Sequence, residues 1–288
     1  MSANSEVLDL MSHGNTVAAM TALRAAHEED PALLLNKALY HAWQGLDPER
    51  LWQTRADHRA LLARSTGPQL ISLLFNLGCL ALAQDDVAEA CLRFQDVLRL
   101  DGGHVRALHN LGYANELMAE YDLALSTYQQ ALVLRPDFVI SRINLALLQI
   151  NTGESEGGLA ALRDLAEADP ENAGVVLYLC RALLAEKQTD SLTEVLVVLG
   201  RCPDTPVTPE LLECRAYAEV RLGKREQAEG TFRTLVSEDS DNAFARLGMM
   251  QVLAERGDFS GLLEHAEVYH RLEPSERTQR LLDRLNAL

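Results

Sequence analysis

Three asparagines, Asn76, Asn110 and Asn144, recur at intervals of 34 residues, and they carry the most regular polar chemistry in the chain. A side-chain amide offers one acceptor and two donor hydrogens, which suits the C=O and N–H of an extended peptide backbone. Inside a helix asparagine is less favourable than alanine, and no packing periodicity asks for it, so three in register suggest a binding ladder. The plainer alternative is a polar residue tolerated on a solvated surface. Other constellations offer less. His104 with His109, and His265 with His270, are each five residues apart, which puts them on different faces of a helix and argues against a metal site. Glu154 and Glu156 sit in a TGESEGG turn, where acidic residues solvate a loop and open the next helix. No P-loop, G-x-G-x-x-G, G-x-S-x-G or HExxH motif is present. The expectation is a protein without enzymatic activity, cofactor or metal.

Composition narrows the partners. The formal charge of −16 disfavours a phosphate backbone, whose binding needs clustered Lys and Arg, so a protein or peptide is expected rather than nucleic acid. Five cysteines, Cys79, Cys91, Cys180, Cys202 and Cys214, form no CxxC pair and read as reduced, packed thiols of a cytoplasmic protein. The first residues lack a basic region followed by an apolar run, and no apolar run reaches the roughly 20 residues of a membrane span, so neither a secretory signal nor membrane insertion is expected.

The elements that must position the asparagines are helices. Alanine and leucine dominate while aromatics make up only 5%, which favours an all-α fold. Leu77, Leu111 and Leu145 share the 34-residue interval, the signature of a helical solenoid. Small residues follow them at Gly78, Gly112 and Ala146, where neighbouring helices can approach closely. The second helix of each unit carries an i, i+4, i+7 set: Ala90, Phe94, Val97; Ala124, Tyr128, Ala131; Gly158, Leu162, Leu165. No helix could bury such a stripe alone, so the core must lie between neighbours. The reading is a single solenoid over 1–288, with divergent repeats in 1–70 and regular repeats in 71–172. A divergent repeat and Pro-rich connection occupy 173–208, C-terminal repeats 209–276 and a capping helix 277–288. Pro203, Pro206 and Pro209 interrupt helix at 202–209, a candidate hinge, and shift the register by about two residues.

Leu111-Gly112, Ala124, Tyr128, Ala131 and Pro136 resemble the 34-residue unit of the tetratricopeptide repeat family, which reads W-x2-L-G-x2-Y, then A-x3-F, A and P. About eight such units would cover nearly the whole chain. Where the family has Trp, this chain has Leu74, Leu108 and Arg142. The resemblance implies a right-handed superhelix of antiparallel helix pairs whose first helices line a concave groove. In that register Asn76, Asn110 and Asn144 face the groove, beside Phe75, Cys79, Arg106, His109, Tyr113, Ile140, Ile143 and Leu147. Similar asparagine ladders occur in the repeat region of O-linked N-acetylglucosamine transferase; its catalytic domain has no counterpart here. Tyr178 stands where the next asparagine would fall. The expected function is a scaffold or adaptor that binds an extended peptide of a partner. The alternatives are a chaperone for an exported or pilus or secretion-system client, and a regulatory subunit of a separate enzyme. Self-association through apolar grooves or uncapped ends is also open.

Overall fold

The computed structural model describes residues 66–201 and 208–287, together with Leu62. The expectations for the rest of 1–65 and for a hinge at 202–207 lie outside the described residues. Thirteen helices and no strand occur among the described residues, so the fold is all-α. The chain divides into two compact units, Met1–Leu148 and Gln149–Leu288.

The first unit contains α1 (Gly67–Ala83), α2 (Val87–Leu100), α3 (Val105–Leu117), α4 (Tyr121–Leu134) and most of α5 (Val139–Asn151). Helix starts are written locally: Pro68 sits in the first turn of α1, the Asp86 carboxylate accepts from Glu89 N, and His104 Nδ1 accepts from Ala107 N at 3.1 Å. Ala90, Phe94 and Val97 on α2, and Ala124, Tyr128 and Ala131 on α4, are fully buried, so the expected stripe is the packed one. Gly112 allows that packing. A Cβ there would lie 2.7 Å from Cε1 of Tyr128, and one on Gly78 would lie 2.6 Å from Cε1 of Phe94. In both repeats, the ring of the second helix occupies the space a side chain on the first would need.

The second unit contains α6 (Ser155–Ala168), α7 (Ala173–Glu186), α8 (Thr189–Gly200), α9 (Pro209–Arg221), α10 (Arg225–Glu238), α11 (Ala243–Arg256), α12 (Phe259–Leu272) and α13 (Glu276–Leu285). Asn172, Asn242, Asp258 and Ser275 cap α7, α11, α12 and α13 through side-chain oxygens. The final helix spans Glu276–Leu285, and Ser275 and Thr278 close a capping box at its N-terminus. Its Leu282 and Leu285 join the core formed by Phe232, Leu235, Leu253, Leu262 and Ala266.

A backbone feature repeats with the helices. Asp85, Ala119, Gly153, Lys187, Gly223 and Gly257 all have positive φ, at 57, 60, 101, 57, 72 and 73°. Each ends the first helix of a pair. The interval between them is 34 residues except from Lys187 to Gly223, where it is 36, which locates the two extra residues between those turns.

Candidate functional site

The expected groove residues all lie on the first helices of unit one, Cys79 on α1 and Ile140 and Leu147 on α5 among them. Phe75 and Asn76 are on α1, Arg106, His109, Asn110 and Tyr113 on α3, and Ile143 and Asn144 on α5. The helices are joined laterally. Asn110 Nδ2 donates to Cys79 Sγ at 3.3 Å, tying α3 to α1, and His109 Nδ1 lies 2.9 Å from Ser141 Oγ, tying α3 to α5. These contacts tie the three helices together, and the accessibility of the residues on them differs sharply. Phe75, Asn76 and Ile143 are buried at 5%, 1% and 4%, while Arg106, His109, Asn110 and Asn144 are half-buried and Tyr113 is 42% exposed. The open part of the face is Arg106, Asn110, Tyr113 and Asn144.

The three amides have three different environments. Asn76 Oδ1 is buried with no hydrogen-bond partner. Asn110 uses one N–H on the Cys79 thiol, a weak acceptor, and Asn144 Nδ2 donates to Tyr128 Oη at 3.4 Å. Tyr128 in turn donates to Glu116 Oε2 at 3.1 Å. In the second unit, Gly248 occupies the register of the asparagines, counted from Gly257 as they are from Asp85, Ala119 and Gly153. There the Phe232 ring fills the space beside it. This register thus meets the aromatic of the preceding second helix, which makes Asn144 a packing residue as well as a surface one.

Burial also sets the protonation of the site. It lowers His109 from 6.5 to about 4 and raises the Cys79 thiol to about 12, the Asn110 hydrogen bond and the Arg106 charge only partly opposing the latter. Both are therefore neutral hydrogen-bonding groups near pH 7. Burial raises Glu116 and Tyr128 as well, against the lowering hydrogen bonds from Tyr128 and Asn144 respectively. His109 is further enclosed by rings, with centroids 5.6 Å from Tyr128 and 5.5 Å from Phe138. Ser141, Tyr128 and Glu116 are not among the expected site residues. Tyr in place of Phe in the A-x3-F position is the one available signal, since only the hydroxyl can reach Asn144 and Glu116. Among the described residues no group of three or more His, Cys, Asp or Glu could hold a metal, Cys79, Cys91 and Cys214 are thiols outside any disulfide, and no helix is long and apolar enough to cross a membrane.

The family model described as tetratricopeptide repeat matches residues 75–137 and 118–173. No curated protein matches by sequence. Among solved structures, the chain is similar to a tetratricopeptide repeat protein from Parabacteroides merdae, with a TM-score of 0.56 and 16% identity over 88% of this chain and 99% of that one. It is similar to PilW, a widely conserved type IV pilus biogenesis factor, with a TM-score of 0.58 and 18% identity over 75% of this chain and 100% of that one. Yeast Tom70 gives 0.55 and 13% over 99% and 81%. At such identities the likeness shows the fold.

Proposed function

We propose, for a chain whose residues 75–173 belong to the tetratricopeptide repeat family, that it is a non-enzymatic scaffold holding an extended segment of a protein partner against the first helices of unit one. The observation that carries this reading is the placement of the Asn110 and Asn144 amides, half-exposed on one face, beside Arg106 and the exposed ring of Tyr113. Each amide spends one N–H inside the protein and keeps its carbonyl oxygen and second N–H for a ligand. Tyr113 adds rigid apolar area with a polar tip, which suits a partner side chain. Asn76 is enclosed, so the ladder offered to a peptide has two rungs, Asn110 and Asn144.

The test begins with a partner recovered by pull-down and identified by mass spectrometry. Calorimetry with a peptide from that partner is expected to show Asn110→Ala with Asn144→Ala weakening binding at least about tenfold, consistent with two or more lost hydrogen bonds. Unchanged affinity rules out the amides as contacts.

A second reading, a chaperone for an aggregation-prone client such as a pilus or secretion component, is favoured by Leu117, Met118 and Tyr121, which are 52%, 49% and 46% exposed at the turn between α3 and α4. Co-expression separates the two: a chaperone raises the soluble yield of its client, whereas a scaffold binds a partner that is already soluble.

A further inference from the structure

The second unit carries a cleft of about 920 Å³ beside its last helix. The floor is apolar: Leu247 and Met250 from α11, Tyr269 from α12 and Leu281 from α13. Leu247 is 49% exposed, a large apolar side chain left uncovered on the helix that packs Met250 at 7%. One wall is basic. Arg277, Arg280 and Arg284 line the cleft at i, i+3 and i+7, the spacing that puts all three on one side of α13.

Two of these arginines differ from several others in the unit. Arg163, Arg225, Arg256 and Arg271 all pair with carboxylates. At the cleft, Arg280 pairs with Glu276 at 2.9 Å, but Arg277 and Arg284 have no acidic partner among the described residues. The one other carboxylate on the cleft is Glu273, at the end of α12. In a chain of net charge −16, two unpaired guanidiniums beside an uncovered leucine are a local reversal of sign.

We propose that this cleft docks an acidic, leucine- or phenylalanine-bearing segment of a partner protein. Its apolar side chains would cover Leu247 and Leu281, and its carboxylates would meet Arg277 and Arg284. Apolar burial supplies the affinity and the charges supply orientation and on-rate. Guanidinium forks favour carboxylates in two-point contact, which makes an acidic segment a better occupant than a neutral one.

The test uses the full chain and a fluorescein-labelled synthetic peptide in which Leu and Phe alternate with pairs of Asp and Glu, against a control with Lys in place of each acid. Anisotropy is expected to show the acidic peptide binding at least about tenfold more tightly than the control, with a loss on raising salt from about 50 mM to about 500 mM. Arg277→Glu with Arg284→Glu should reverse the preference, and Leu247→Ala should weaken both peptides. Circular dichroism of each variant confirms that the fold is kept. Equal binding of the two peptides, no binding of either, or indifference to the charge reversal overturns the proposal. So does sedimentation showing a dimer that the charge reversal disperses, since a second copy would then be the occupant.

Discussion

Asn144 Nδ2 sits 3.4 Å from the hydroxyl of Tyr128, sixteen residues earlier and fully buried, and through it reaches Glu116. A residue of the proposed ligand-binding face is therefore wired into the packing between helix pairs. Tyr128→Phe keeps the ring and removes the relay. It is expected to cost about 1 kcal/mol in urea denaturation, since Asn144 and Glu116 lose a partner but remain reachable by water. Tyr128→Leu should cost more, because ring volume beside Gly112 is lost as well.

Gly112 and Gly230 predict opposite outcomes for the same substitution. Gly112→Ala drives a Cβ to 2.7 Å from the Tyr128 ring, and overpacking should cost about 1–3 kcal/mol. Gly230 lies in α10, where an added methyl would meet nothing within 4 Å, so Gly230→Ala should stabilise by about 0.5–1 kcal/mol. Thermal melts of the two variants check both signs.

Ala119 has φ of 60°, a conformation that strains any residue with a Cβ. Ala119→Gly should raise stability by up to about 1 kcal/mol, the relief of strain being partly offset by added chain entropy in the unfolded state. Gly223→Ala, at φ 72°, should lower it. A matched pair of chemical denaturation curves decides this.

The pH dependence follows from His109. Its folded value is about 4 against an ordinary 6.5, because burial disfavours the imidazolium. Between those values the unfolded chain binds more protons, so stability is full above about pH 6.5 and falls as the pH drops toward 4. His265, lowered by burial and by the Arg246 charge, acts in the same direction, whereas Glu116, raised by burial, opposes it at the acid end. The melting temperature should fall between about pH 7 and 5, and His109→Gln should flatten part of that fall. A slope unchanged in the variant assigns the effect elsewhere.

The parts of this fold legible in the sequence are those governed by helix period. Ala90, Phe94 and Val97 can be placed in the core from spacing alone, because only one face of α2 can be covered by neighbours. The asparagine register is legible for the same reason. What those amides touch is not: Asn110 meets Cys79 at a separation of 31 residues, and Asn144 meets a tyrosine oxygen that the A-x3-F pattern treats as a phenylalanine ring. Burial of Asn76 is hidden too, since an amide and its neighbour in register read alike whether or not something covers them. The positive-φ series shows itself at Gly153, Gly223 and Gly257 but not at Asp85, Ala119 and Lys187, where the chain accepts strain without a glycine to announce it.

Each left-handed residue in that series is a fixed phase point, so chain length can change only between one such point and the next. The two extra residues fall between Lys187 and Gly223, the one interval of the series that is 36 rather than 34 residues long. Lengthening a connection there adds only slowly growing closure entropy, whereas an insertion inside a helix rotates every residue beyond it off its partner. The interval from Lys187 to Gly223 is therefore one in which this chain has changed length while the helix pairs on either side keep their phase.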